Sequence, residues 1–221
     1  MKNIFTILLA LLLVSGLSGC QSAFEGQSSP PAPESSSVSS AGSSSVSPSA
    51  VPGQKMSAEE LKTLLEDLMP KSDEIHGIYS GGGLQTDAEA DLPAPDENGQ
   101  QFVPVTDDRF HSVQDLTEYT ESVYTKEYAQ ENFYQYALEG PYIRYREQGG
   151  ELWMDLAQGG GGGWIWNIAT AEISSQEGDF LVVSMECMDY YDGKYDGAVT
   201  LKNTPDGWRI DTLETRDPAA G

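Results

Sequence analysis

The histidines and their acidic neighbours are the residues best suited to acid–base chemistry. His111 follows Asp107 and Asp108 and directly precedes a predicted helix cap. An imidazole beside a carboxylate can act as a general acid or base when both lie in a pocket, whereas in an exposed loop both are solvated. The chain shows no serine-nucleophile motif and no His–Cys zinc spacing. We therefore expect a protein that is not an enzyme, with catalysis at His111 as the lesser alternative.

Three aspartates surround a predicted turn in the C-terminal part of the chain. Asp189, Asp192 and Asp196 could bind calcium through carboxylate oxygens, although their spacing differs from the EF-hand pattern. The dipeptides Asp192-Gly193 and Asp196-Gly197 are also signals for hairpin turns. A calcium site and a plain turn both remain open, and no cofactor is predicted.

A polar loop between the first helices and the first strand is rich in carboxylates. It contains Asp87, Glu89, Asp91, Asp96 and Glu97. Such a loop is most simply solvated, but it is also a candidate contact for a cationic partner.

Two aromatic residues and a cysteine lie in predicted strands. Trp164 and Trp166 share one strand face and, with Tyr142, would line a ligand pocket or simply join the core. Cys187 alternates in phase with buried apolar positions, which predicts an inert strand cysteine, since no local histidine or helix N-terminus would activate its thiol. The preceding run Gly159 to Gly163 predicts a flexible hairpin connection and not a phosphate cradle, because a strand follows it.

The N-terminus predicts export and lipid attachment. Lys2 precedes an apolar run that is too short to span a membrane, and Leu17-Ser18-Gly19-Cys20 resembles the lipobox of bacterial lipoproteins. The resemblance implies cleavage before Cys20 and diacylglycerol on its sulfur, and several acyl chains would anchor the chain to the membrane. An ordinary signal peptide is the alternative. The expected location is the outer face of the cell membrane.

Composition divides the chain into three segments. Residues 1–19 form the predicted signal peptide. Residues 20–56 are the lipidated cysteine and a Ser- and Pro-rich tether, whose few apolar side chains cannot offset the entropy of ordering. Residues 57–221 form the predicted folded domain.

The predicted domain is strongly acidic. The chain has 12 basic and 35 acidic residues and a formal charge of −23, and the charges outside the domain cancel. This charge disfavours nucleic acid, which requires clustered Lys and Arg. It favours a basic protein, a cationic wall component or metal ions as partners, and solubility alone would explain it equally well.

Helix signals precede strand signals along the domain. Ser57-Ala-Glu-Glu60 is a capping box followed by leucines at helical spacing, and Pro70 predicts the end of that helix. A weaker helical stretch around Ile75 follows. Ser112 and Thr125 are predicted to cap two further helices.

Alternating residues from Tyr142 onward predict antiparallel strands. Turns at Gly149-Gly150, Gln176-Glu-Gly178 and Pro205-Asp206-Gly207 separate the alternating runs. Phe102 to Val105 indicates a short edge strand because it contains a proline. The prediction is an α+β fold with N-terminal helices packed on a curled antiparallel sheet.

Three stretches of the domain resemble a known family: Phe110-His-Ser112-Val-Gln-Asp115-Leu116, Val123-Tyr-Thr125-Lys-Glu127-Tyr-Ala129 and Gly207-Trp208-Arg209-Ile210. The order of elements resembles the cone fold of cystatin-like and nuclear-transport-factor-like domains. The stretches resemble secreted proteins of the IseA type, which inhibit wall-cleaving DL-endopeptidases. The resemblance covers roughly Ser57 to Leu213 and implies occlusion of a basic wall hydrolase. The glycine run and the acidic loop depart from the family's pattern.

Taken together, these features predict a non-catalytic extracytoplasmic lipoprotein that binds a partner. A basic cell-wall hydrolase, inhibited by electrostatic and steric occlusion, is the preferred partner. A small-ligand-binding domain using the concave sheet face is the alternative.

Overall fold

A computed structural model describes residues 55–87, 92–157, 159–161, 163–189 and 191–216. The predicted signal peptide, the lipidated Cys20 and all but the last two residues of the tether lie outside the described residues. So do Glu89 and Asp91 of the acidic loop.

Three helical segments lie in the N-terminal half of the described chain, and the short strand β1, Phe102–Pro104, comes between the first two. Helix α1 spans Ala58–Tyr79 and helix α2 spans Val113–Glu121. The third segment, α3, covers residues 126–137 and has an α-helical turn at Lys126–Ala129, a π-helical turn at Gln130–Tyr134 and a final turn at Gln135–Ala137.

The predicted caps of the helices are confirmed. The Ser57 hydroxyl accepts the N–H of Glu60 at 3.3 Å, and the Glu60 carboxylate accepts the N–H of Ser57 at 2.8 Å. Ser112 and Asp115 form the same reciprocal box at the start of α2. Thr125 accepts a backbone N–H at the start of α3. Each side chain satisfies a donor that the first helical turn leaves free.

The predicted helix end at Pro70 is wrong, because α1 continues through this proline for another nine residues to Tyr79. Proline has no N–H, so the carbonyl of Glu66 loses its helical partner. Glu66 is exposed and water can solvate that carbonyl. Beyond the proline, Ile75 and Ile78 are buried in the core and hold the second half of the helix in place.

Within the described residues, eight strands form two antiparallel sheets. The small sheet has the order β1-β3-β2, with the proline-containing β1 at its edge as predicted. The large sheet has the order β4-β6-β7-β8, and β5 also pairs with β6. The strands are β1 Phe102–Pro104, β2 Tyr145–Gln148, β3 Glu151–Asp155, β4 Ile165–Trp166, β5 Glu172–Glu177, β6 Phe180–Met188, β7 Lys194–Thr204 and β8 Gly207–Arg216.

The predicted α+β class, with helices preceding a curled antiparallel sheet, is confirmed. The strands nevertheless divide between two sheets. The run Gly159 to Gly163 does not close a hairpin, because β3 and β4, which it connects, belong to different sheets. A short 3-10 helix at Ile168–Thr170 interrupts the strand that was expected from Trp164 onward.

The core lies between the helices and the inner face of the large sheet. Alternate residues of β6 are buried, and Cys187 is among them as predicted. Helical side chains such as Leu65 and Phe133 belong to the same apolar cluster as Leu201 and Ile210 of the sheet. Among the described helices, none has the length and apolar character needed to cross a membrane.

Two glycine runs enclose a buried arginine. Arg144 is 2% exposed and donates to the carbonyl of Gly81 at 2.8 Å. A Cβ atom at Gly83 or Gly159 would lie 2.7 Å from its guanidinium nitrogens. Only glycine permits this approach, which gives both runs a packing role that their composition did not reveal.

Candidate functional site

The three helical segments carry a clear excess of acidic residues, with eleven carboxylates against three lysines. Their carboxylates are Glu59, Glu60, Glu66, Asp67, Asp73, Glu74, Asp115, Glu118, Glu121, Glu127 and Glu131, and their lysines are Lys62, Lys71 and Lys126. Each lysine forms an ion pair with a nearby carboxylate. The other helical carboxylates therefore outnumber the available cations, and we call this region the acidic helix surface.

The strands of the large sheet carry a more balanced set of charges. Their carboxylates are Glu172, Glu177, Glu186, Asp196, Asp211 and Glu214, and their cations are Lys194, Lys202, Arg209 and Arg216. Asp196 of β7 lies directly opposite Arg216 of β8, which places opposite charges on neighbouring strands. A partner that selects negative charge would thus be drawn to the helices and not to the sheet.

An ion-pair cluster joins α1 to α2. Glu74 accepts hydrogen bonds from the Tyr119 hydroxyl and from the Arg109 guanidinium, the latter at 2.7 Å. Arg109 also binds Asp107 at 2.8 Å and, through that hydrogen bond, holds the pKa of this carboxyl below its ordinary value. The cluster fixes the two acidic helices against each other.

His111 is not brought together with the acids that precede it in sequence. Its side chain is exposed, and its backbone N–H donates to Asp115 at 2.8 Å. Asp107 binds Arg109 instead, and Asp108 is exposed. The pocket that the acid–base hypothesis requires around His111 is therefore not formed by these three residues.

A surface groove of about 580 Å³ adjoins the acidic helix surface. It lies between the α2–α3 junction and the β7–β8 turn and contains Glu118, Glu127 and Asp206 together with Lys126 and Arg209. The stretches around Val123 and Trp208, two of the three that resemble the known family, meet here. The backbone of Ile210 hydrogen-bonds to Val123 and Thr125 in a parallel bridge.

The described part of the acidic loop is tied to the small sheet. Asp96 accepts the N–H groups of Asn98 and Gln100, both at 2.9 Å, so its carboxylate closes a turn. Gln100 in turn donates to the buried Asp155 at 3.0 Å. Asp87 and Glu97 are exposed. Asp96 thus has a structural role, and Asp87 and Glu97 are the described loop carboxylates that can face a partner.

The three aspartates proposed for calcium have separate environments. Asp189 accepts two backbone N–H groups of its turn, which lowers its pKa, and also accepts the Tyr195 hydroxyl at 3.1 Å. Asp192 has a positive φ of 63° in that turn. Asp196 lies in β7, opposite Glu186. Among the described residues, no group of three or more His, Cys, Asp or Glu side chains is placed to hold a metal ion.

The expected turn at Asp196-Gly197 is wrong, because both residues lie within a strand and the glycine there has a packing role. Gly197 lies inside β7, and a Cβ atom there would be 2.3 Å from the indole ring of Trp166. The glycine therefore provides room for the tryptophan on the inner face of the sheet, while its neighbour Asp196 faces outward.

A cavity of about 110 Å³ lies between α1 and this inner face. Trp164 and Trp166 line it as the sequence suggested, but Tyr142 does not and is exposed elsewhere. His76 and Asp73 of α1 also line it. Sequence reasoning did not single out these two residues, although Asp73 and His76 are separated by three positions and therefore share a helix face.

No protein family and no curated protein matches the chain. The site is therefore interpreted from its own geometry and charge.

Proposed function

We propose that this protein is a lipid-anchored, non-catalytic binding protein at the outer face of the cell membrane, and that its acidic helix surface docks on a basic partner. The proposed partner is a cell-wall DL-endopeptidase, which the docked domain would inhibit by covering its active-site cleft. The single observation that carries the proposal is a difference in charge between two regions, with eleven carboxylates against three lysines on the helical segments and six carboxylates against four cations on the large sheet.

Electrostatics supports a helix-side docking mode. Carboxylates such as Glu118, Glu127 and Glu131 form no ion pair with a described residue and are exposed. A field of one sign raises the rate of encounter with a partner of opposite charge and lowers it for acidic partners.

Tethering adds to the effect of charge. A lipid on Cys20 and the segment of residues 21–56 would confine the domain within reach of enzymes that work close to the membrane. Confinement raises the effective concentration of one binding partner near another, so a domain of modest affinity can still be effective.

The test is inhibition of a purified, basic DL-endopeptidase by the full chain at low ionic strength. We expect saturable inhibition that weakens steeply as NaCl is added, because salt screens exposed charges over about 10 Å at 0.1 M. Hydrolysis that continues unchanged at saturating protein and low salt contradicts the proposal.

Matched charge-reversal variants locate the docking surface. The helix variant is Glu118→Lys, Glu127→Lys and Glu131→Lys. The control is Glu172→Lys, Glu177→Lys and Glu214→Lys on the large sheet, which changes the net charge equally. We expect the helix variant to lose about tenfold or more in inhibition, with little change in the control. Equal losses would show that only the total charge matters and would contradict the assignment of a surface.

A further inference from the structure

The cavity under α1 has walls from three parts of the fold. Asp73 and His76 line it from α1, and Tyr128 from α3. Trp166 and Leu213 line it from strands β4 and β8 of the large sheet, and Trp164 from the position just before β4. It lies on the opposite face of the sheet from the outward-pointing Glu186 and Asp196, so it is a site separate from any contact made there.

The helical wall of the cavity is held rigidly. Tyr128 stacks on Tyr124 with ring centroids 4.9 Å apart, and the Tyr124 hydroxyl lies 2.5 Å from the hydroxyl of Ser72. The His76 ring packs edge-on against Phe133 at 5.2 Å. These contacts fix the Tyr128 and His76 rings where they line the cavity.

The sheet wall is also held in place. Trp166 lies over Gly197, and Trp164 packs edge-on against Tyr195 at 4.8 Å. The Tyr195 hydroxyl donates to Asp189, which also caps the β6–β7 turn. Asp189 is therefore a positioning residue for the cavity wall.

The charge of the lining favours a cation. Asp73 is the one carboxylate among the described lining residues, and the lining contains no lysine or arginine. Burial lowers the pKa of His76, so its imidazole is neutral near pH 7 and does not oppose a positive ligand. Tyr and Trp rings attract cations through their negative faces.

The size of the cavity restricts the ligand to a small group. Its volume of about 110 Å³ is somewhat below the roughly 150 Å³ of an engineered apolar cavity that admits benzene. We propose that this cavity binds a small organic cation, with an alkylammonium head group among Tyr128, Trp164 and Trp166 and its charge facing Asp73.

The test uses choline and its neutral analogue 3,3-dimethylbutan-1-ol, in which carbon replaces the charged nitrogen. Each is titrated into the full chain in a maltoside detergent, at constant ionic strength set with NaCl, and followed by NMR of the indole N–H groups. We expect saturable choline shifts at Trp164 and Trp166, with dissociation constants on the order of millimolar. Trp153 and Trp208, which do not line the cavity, serve as internal references.

Two comparisons distinguish recognition of the ligand's charge from simple filling of an apolar cavity. We expect the neutral analogue to bind at least about tenfold more weakly than choline, because the cation–π and carboxylate attractions are lost. Asp73→Asn should weaken choline binding several-fold. The matched control Asp67→Asn, on the same helix but outside the cavity, should leave it unchanged.

Three results would overturn the proposal. The first is the absence of saturable shifts at choline concentrations on the order of 100 mM. The second is equal binding of choline and its neutral analogue. The third is an equal effect of the Asp73 and Asp67 substitutions, which are both at exposed positions and should leave the fold intact.

Discussion

The helical segments and the large sheet carry charge in different ways. On the exposed side of a helix, side chains diverge from a convex surface and reach water, so an excess of one sign has a small cost. In a sheet, residues directly opposite on neighbouring strands have Cβ atoms about 5 Å apart, and like charges there are destabilising. The acidic excess of the helical segments therefore lies where its structural cost is low.

The comparison separates what stabilises the domain from what it presents to a partner. The inner side of α1 joins the same apolar cluster as the inner face of the sheet. The outer side of α1 carries ion pairs such as Lys62–Glu66, whose side chains are more than half exposed. We therefore expect stability to depend on the buried side and partner binding on the exposed side.

The largest expected effect is the loss of a buried leucine from α1. Leu65 is fully buried, so Leu65→Ala should lower the free energy of unfolding by about 2–5 kcal/mol through lost burial and a residual cavity. Its exposed neighbour provides the control, and Glu66→Ala should change stability by no more than about 0.5 kcal/mol. Urea unfolding of both variants measures the difference. Similar losses of stability in the two variants would contradict the assignment of stability to the buried side of α1.

The same glycine-to-alanine change should have opposite signs in the two regions. Gly197→Ala in β7 forces a Cβ against Trp166 and should destabilise by about 1–3 kcal/mol. Gly77→Ala in α1 meets no atom within 4 Å and should stabilise by about 0.5–1 kcal/mol, because alanine favours helix. Thermal or urea unfolding tests both. A neutral Gly197→Ala would mean that Trp166 moves freely.

The smallest expected effect concerns the pair of like-charged carboxylates that lie directly opposite each other in the large sheet. Glu186 lies opposite Asp196, so Glu186→Gln should raise the free energy of unfolding by about 0.2–1 kcal/mol. Glu214→Gln is the control, since its cross-strand neighbour is Ala198. The gain should shrink with added NaCl as screening grows. A salt-independent gain would point to packing and not to charge.

Local signals predicted much of the fold. The caps at Ser57, Ser112 and Thr125 depend on groups within three residues of one another, and the alternation of β6 depends on a period of two. The prediction that the first helix ends at Pro70 failed because it depended on a local preference alone. The local preference of proline ends helices, and burial of distant residues on the same helix outweighs it.

Candidate functional sites were harder to predict from the sequence than helices and strands. The acidic loop and the Asp189 turn were selected for their carboxylates, yet Asp96 and Asp189 serve mainly to close turns by accepting N–H groups two and four residues further along the chain. For Trp164, Trp166 and Tyr142 the sequence left open a ligand pocket or a place in the core, and the structure places the two tryptophans, but not Tyr142, at a cavity. Their partner Asp73 was missed because helix and strand meet only in the folded chain.

The sequence by itself determined the capped helices, the alternating strands and the net charge of −23, because each follows from near neighbours or from composition. Tertiary structure alone decided that Gly83 and Gly159 enclose Arg144 and that Gly197 makes room for Trp166. It also decided that Asp73 lines the same cavity as two tryptophans. These are contacts between residues far apart in sequence, and they form only when the apolar faces of helices and sheet are buried against each other.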